Sequence, residues 1–416
     1  MELKRVVVTG LGALTPIGNN VPDFWDALLK GVSGAGEITY FDTENFKTKI
    51  ACELKGFNIL DFIDAKLARR MDPCSHYALV TAAEALADSG LQLDSEDRGR
   101  IGVVMGSGVG GFAAATESAR TLIADNMIPR FSPFLIPRVV SDSIAGNISI
   151  QFDLRGPNFV VSSACASAAN ALADACNLIM LGKADVILSG GSEACIVPET
   201  VAGFMAMHAL SSRNDDPKTA SRPFDVGRDG FVIGEGSATL VLEEYEHAVA
   251  RGAKIYAELA GYGLSADAYH ITAPHPDGNG AYDAMRLAIK DTNLAPENID
   301  HINMHGTSTQ QGDISECKAI ERLFGAHAMD MVFNSTKSMT GHLLGAAAAV
   351  ESVATILALQ NGIIPPTINQ FERDPQISQD WNMASNAPVK KEIRTALCNA
   401  FGFGGHNVSL LFKKII

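Results

Sequence analysis

Residues 159–172 read FVVSSACASAANAL, an apolar run that passes through small polar residues into an alanine-rich stretch, with Cys165 at the turn. The stretch 166–181 contains neither Gly nor Pro before Gly182, so a helix is predicted there. A thiol at its start meets unpaired backbone N–H groups and the positive end of the helix dipole. Both lower a thiol pKa from about 8.5 and favour thiolate, which makes Cys165 a candidate nucleophile. The competing role is a small buried hydrophobe, the commoner fate of a lone cysteine.

Two histidines stand in comparable settings. His305 follows an apolar strand in INMHGTST, and His342 lies in STKSMTGHLLGAAAA, read as the first turn of an apolar helix. Each can be a satisfied structural imidazole. No HxxH or HxxxH pair supports a metal site. Sharing a pocket with a thiol, they can donate hydrogen bonds to a developing oxyanion or act as acid and base. Lys337, five residues before His342, is either a solvated loop lysine or a source of positive potential in that pocket. The segment NAFGFGGHN (399–407) sets two phenylalanines among three glycines. It can bring backbone N–H groups to a ligand while a ring acts as a lid, or simply turn into the last strand. The glycines of GSGVGG (106–111) lack GxGxxG spacing and read as tight packing beside a pocket.

The elements that must position these groups alternate along the chain. Short β-branched runs at 5–9, 101–105, 158–162, 185–189, 237–243, 255–260, 301–305 and 331–335 are separated by amphipathic stretches such as 77–89, an α/β pattern. The alternation also repeats itself. VVVTGLGAL (6–14) echoes YAELAGYGL (256–264), RIGVVMGSG (100–108) echoes DHINMHGTS (300–308), and two further pairs follow in the same order. Two halves joined near 245–255 would bring Cys165 and His342 to helix N-termini at one pocket, with His305 arriving from a neighbouring strand.

The 416 residues exceed one typical core, and 47% hydrophobic with 19% charged residues describes a buried globular enzyme. A net charge of −14 excludes non-specific nucleic-acid binding, which needs clustered Lys and Arg. Seven scattered cysteines without a CxxC pair fit a reducing, cytoplasmic setting rather than a disulfide framework. The chain has no run of 18 apolar residues, so no membrane span is expected.

Together SSACASAANAL, RPFDVGRDGFVIGEG (222–236), NMHGTST, NSTKSMTGHLLGAAAAVE and FGFGGHN make the chain resemble, nearly end to end, an elongating β-ketoacyl-[acyl-carrier-protein] synthase of the thiolase superfamily, closer to type II than type I. The resemblance implies an α/β, thiolase-like duplicated fold with five αβαβα layers and two mixed sheets, the halves being 1–254 and 255–416, in a homodimer. It implies fatty-acid elongation by decarboxylative condensation, with Cys165, His305, His342 and Lys337 catalytic. Cys165 and Phe403 would supply the oxyanion hole, Phe403 also the gate, and Thr307 and Thr309 the pantetheine contacts. Val109, Phe134 and Leu135 would form the acyl pocket. The partner would be acyl-carrier protein, docked on Lys66, Arg69, Arg70 and Arg130, and His208 stands where some relatives carry an arginine. No cofactor is implied beyond the phosphopantetheine of the substrates and no metal is required, although Asn303, Glu351 and Asn399 match a site for a monovalent cation. Alternatives are a polyketide ketosynthase, a non-condensing chain-length-factor partner, which would lack the cysteine, and a cysteine hydrolase.

Overall fold

The computed structural model describes residues 3–290 and 292–415. Ten strands form its main sheet: β1 (Val6–Leu14), β2 (Ile101–Gly106), β3 (Asn158–Val161), β4 (Val186–Glu193), β5 (Gly236–Glu244), β6 (Ala257–Ala266), β7 (His301–Asn303), β8 (Val332–Asn334), β9 (Thr395–Gly402) and β10 (His406–Lys413). Their order is β8-β7-β9-β10-β6-β1-β5-β4-β2-β3. Read outward from the centre, five strands on each side follow the same plan. The innermost strand, β1 or β6, comes first in the chain, and from the outer edge the pairings run parallel, parallel, antiparallel, antiparallel. The two five-stranded mixed sheets pair through Val7–Glu258 and Val8–Ala257.

Five helices explain the layering: α1 (Pro73–Ser89), α2 (Ser167–Met180), α3 (Asn279–Lys290), α4 (Gln310–Phe324) and α5 (Ala347–Asn361). The middle layer is α2 and α5, which pack on each other and on strands of both halves. Burial on every side requires small residues, hence the alanine-rich sequences, while Leu172, Ile179, Ile356 and Leu359 fill the space between. Each of those side chains contributes about 2 kcal/mol on leaving water. The stretch Leu344–Asn361 is long and apolar enough to cross a membrane, but it is core. Outer layers are α1 against β1, β4 and β5, and α3, backed by α4, against β6 and β10.

The repeated glycines have a packing cause. A Cβ on Gly10 or Gly12 would lie 2.2 or 2.0 Å from a carbonyl oxygen of α1, and one on Gly261 or Gly263 would lie 2.3 or 1.9 Å from a carbonyl oxygen of α3. In both halves the innermost strand needs two glycines to let the outer helix seat.

Candidate active site

Strand β3 ends in a tight turn rather than running directly into α2. Ala164 takes φ 51°, a left-handed conformation unusual for a residue with a side chain. The Ser167 hydroxyl fixes it, accepting from the Ser163 N–H at 2.9 Å and donating to the Ala164 carbonyl at 2.6 Å. Cys165 is thereby lifted onto the rim of a cavity of about 500 Å³. It alone of the seven cysteines is not fully buried; the other six are the small core residues expected of them.

The thiol is not the resting thiolate that its place before a helix predicts. Burial pushes it up to about 12, and the Lys337 charge lowers it without reversing the effect. The buried Glu193 carboxylate adds to the rise, while backbone N–H groups of Phe403 and of Cys165 itself point toward the sulfur and favour its charged form. Desolvation outweighs the dipole because α2 begins only at Ser167 and the sulfur sits in an apolar cluster. Those two N–H groups have the arrangement of an oxyanion hole. Gly402 makes it possible: a Cβ there would lie 3.0 Å from the Cys165 nitrogen.

His305 lies two residues beyond β7 and lines the cavity. Glu316, buried on α4, accepts the His305 N–H at 2.9 Å, the Gly306 N–H at 3.0 Å and the Asn399 amide at 3.0 Å. His342 also lines the cavity but does not begin a helix. Its N–H donates to the Val232 carbonyl at 2.8 Å and its carbonyl accepts from Gly234 at 2.9 Å, a parallel bridge to 231–234 that holds the chain extended. Leu344 then takes φ 47°, and α5 starts only at Ala347. The two imidazoles are 5.4 Å apart between ring centres and nearly perpendicular. Each has a buried Nδ1 without a partner. Burial first, and Lys337 second, hold both well below 6.5, so both are neutral at neutral pH.

Lys337 is no solvated loop residue. It opens a short helix, Lys337–Thr340, is buried, and pairs with the buried Glu351 carboxylate. Phe403 lines the cavity facing Phe204. Rings run in sequence from Phe401 through His305, His342, Phe231 and Phe204 to Phe403, so the circuit starts and ends in the FGF tripeptide. Thr307 and Thr309 line the same cavity with hydroxyls 3.0 Å apart.

Other expected residues lie elsewhere. Val109, Phe134 and Leu135 do not line the cavity; Val109 is exposed, and Phe134 and Leu135 are half-buried at the surface. Lys66, Arg69, Arg70 and Arg130 are exposed, and the Arg70 guanidinium stacks 4.8 Å over the Phe134 ring. His208 is exposed at the cavity wall. Near Lys337, Asn303 Oδ1 and Glu351 Oε2 are buried acceptors without partners, which suits a cation. Asn399 is already committed, donating to Glu316 and accepting from Ser409.

Residue-by-residue reading missed Phe204, Phe231, Phe401, Glu316 and Glu193. Phe231 and Phe401 stood inside quoted motifs; the two acids carried no local signal.

This arrangement of a cysteine turn, an N–H pair and two neutral imidazoles on a duplicated, thiolase-like fold defines a condensing acyltransferase. Models of the beta-ketoacyl synthase N-terminal and C-terminal domains match residues 3–248 and 256–371, and the chain belongs to the β-ketoacyl synthase family. It is 47% identical to the 3-oxoacyl-[acyl-carrier-protein] synthase 2 of Synechocystis, over 100% of this chain and 99% of that protein. It is 46% identical to the synthase 2 of Vibrio harveyi, over the whole of both. Similar solved structures include a beta-ketoacyl synthase from Burkholderia phymatum (TM-score 0.91, 36% identity, 99% of this chain and 100% of that one). Another is a ketosynthase in complex with its type II polyketide acyl-carrier protein (TM-score 0.92, 33% identity, 100% of both).

Proposed function

We propose that the chain elongates fatty acids by two carbons through decarboxylative Claisen condensation. The observation that carries this is the convergence on one cavity of Cys165, two inward N–H groups and two imidazoles held neutral. In the first half-reaction Cys165 sulfur attacks the thioester of an acyl-carrier protein, the acyl–sulfur bond to pantetheine breaks, and the Cys165 proton ends on the pantetheine thiol. The N–H groups of Cys165 and Phe403 hold the tetrahedral oxyanion, where a donor is worth about 10²–10³ in rate.

In the second half-reaction the bond between the malonyl α-carbon and its carboxylate breaks, CO₂ leaves, and the electron pair forms an enolate. Neutral His305 and His342 donate to that oxygen, and Lys337 adds positive potential. The α-carbon then attacks the Cys165 thioester and expels the sulfur as thiolate, which takes up a proton from solvent to restore the Cys165 thiol. Neutral donors suit this step, since an imidazolium pair would have to hold two charges in a dry cavity.

Thr307 and Thr309 contact pantetheine on this reading, and Phe403 gates the cavity. Acidic carrier protein docks on Lys66, Arg69, Arg70 and Arg130. The acyl chain reaches Val109, Phe134 and Leu135 once a second copy of the chain completes that wall. Exposed Ile123, Met127, Phe131, Ile136 and Ile150 and the open edge of β3 support such a homodimer. The halves are 1–254 and 255–416, and the setting is cytoplasmic. A monovalent cation would be held by Asn303 Oδ1 and Glu351 Oε2, neutralising charge beside Lys337. The 46–47% likeness to type 2 synthases favours fatty-acid elongation over polyketide assembly.

Separating the half-reactions tests the proposal. Cys165→Ala abolishes condensation yet keeps malonyl decarboxylation, whereas His305→Ala loses both. Condensation at the wild-type rate in either variant refutes the assigned roles.

A further inference from the structure

One buried carboxylate links the two strained turns of the site, the Leu344 turn directly and the Ala164 turn through the 107–109 loop. Glu193, at the end of β4, is fully buried. It accepts from the Ser107 hydroxyl at 3.0 Å and from the backbone N–H groups of Gly108 at 2.7 Å, Val109 at 3.2 Å and Gly345 at 2.9 Å. The last donor belongs to the other half and directly follows Leu344, whose φ of 47° bends the chain two residues after His342. The 107–109 loop is in turn tied to the strand entering the nucleophile turn. The Ser107 N–H donates to the Val161 carbonyl at 3.1 Å, and the Ser162 hydroxyl donates to the Gly108 carbonyl at 3.3 Å.

The fit excludes any larger residue at two places. A Cβ on Gly108 would lie 2.9 Å from the Glu193 carboxylate, and one on Gly345 would lie 2.6 Å from it and 2.2 Å from the Gly108 nitrogen. A carboxylate offers acceptor sites to all four donors. An amide would turn an NH₂ toward donors on one side.

We infer that Glu193 is a positioning residue that clamps the His342 segment to the Cys165 turn across the two halves, fixing the distance over which acyl thioester and enolate must meet. It touches no substrate. The inference rests on the proposed condensation only for its effect on turnover; its effect on Cys165 is independent. Other charged or titratable groups near the sulfur are Lys337, the two neutral imidazoles and the buried Cys195. Burial raises the Glu193 carboxyl to about 7 against the four hydrogen bonds that favour its charged form. It is therefore charged over the alkaline range in which Cys165 titrates, and removing that charge favours the thiolate.

The test is Glu193→Gln in the full chain, read in two ways after its melting temperature is matched to wild type. Iodoacetamide alkylation of Cys165 followed against pH is expected to shift its midpoint down by about half a unit or more. Condensation is expected to fall at least about ten-fold in kcat, with KM for malonyl-carrier protein within about two-fold, because misplacement by 1 Å costs roughly 10²-fold. Glu193→Asp keeps the charge but withdraws it from Gly345, so it slows condensation with an unmoved alkylation midpoint. A lost fold would free Cys165 from burial and drop the midpoint by several units toward about 8.5, together with a fallen melting temperature. The matched melting temperature therefore separates that outcome from the clamp. A superimposable alkylation profile in Glu193→Gln, or condensation within two-fold of wild type, overturns the inference. If Glu193→Gln does not fold, Ser107→Ala removes one donor and is expected to cost about three-fold in condensation; an unchanged rate there overturns it equally. If wild type alkylates at Cys165 but does not condense, the proposed function fails and the clamp stands or falls on the midpoint.

Discussion

Alanine at Gly402 would measure how closely the FGFGG strand must approach the nucleophile. Its Cβ would lie 2.9 Å from the Ser163 oxygen, 3.0 Å from the Cys165 nitrogen and 3.2 Å from the Ala166 nitrogen, all backbone atoms that cannot rotate away. Ordinary contact begins at 3.4 Å, so the strand must retreat by about half an ångström. That retreat carries the Phe403 N–H away from the sulfur. Misplacement by 1 Å costs roughly 10²-fold and loss of a whole oxyanion donor about 10²–10³-fold. A donor stretched but retained should therefore cost about ten- to hundred-fold, or about 1.4–2.7 kcal/mol. The backbone of His305 is held by Glu316 and that of His342 by Val232 and Gly234, not by Gly402. Rapid-quench intact-mass measurement of acyl transfer to Cys165 should show the loss, while malonyl decarboxylation stays within about three-fold. Transfer at the wild-type rate would refute the N–H pair as the oxyanion hole. Equal loss of both reactions would show that the residue acts on the whole fold.

Lys337→Met strands the Glu351 carboxylate in the core and should cost about 3–5 kcal/mol in urea unfolding, with Glu351→Gln on top restoring much of it; a loss below about 1 kcal/mol would contradict a coupled buried pair. Burial holds His301 down at about 4, with Nδ1 2.8 Å from the Val332 carbonyl. It is neutral when folded and titrates near 6.5 when unfolded, so its contribution to stability declines as pH falls from 6.5 toward 4. The cost of His301→Gln at pH 7 should therefore shrink by about 2 kcal/mol at pH 5; a pH-independent cost would contradict the neutral assignment.

What the sequence made legible was whatever depends on local pattern. The strands, the central helices and the paired glycines of β1 and β6 all leave periodic or repeated traces, and the motifs carried Cys165, His305 and His342 to one cavity. The misreadings share a cause in long-range contact. Helix propensity in LLGAAAA placed His342 on a first turn, but the bridge to Val232 and Gly234 keeps it extended. The dipole rule made Cys165 a thiolate, but the enclosing apolar cluster, assembled from residues 38 to 344, outweighs it. Glu193 and Glu316 act by accepting backbone N–H groups, and nothing in their neighbours along the chain announces that. Val109, Phe134 and Leu135 lie outside the cavity of one chain, a placement no local pattern encodes.

Peptide mapping of the acyl group after incubation with a medium-chain acyl-carrier protein tests the central claim most directly. The account predicts acyl on the Cys165 peptide alone, discharged on adding malonyl-carrier protein as CO₂ and a β-ketoacyl product two carbons longer form in equal amounts. Acyl on any of the other six cysteines, or an adduct on Cys165 that malonyl-carrier protein leaves in place, would contradict it.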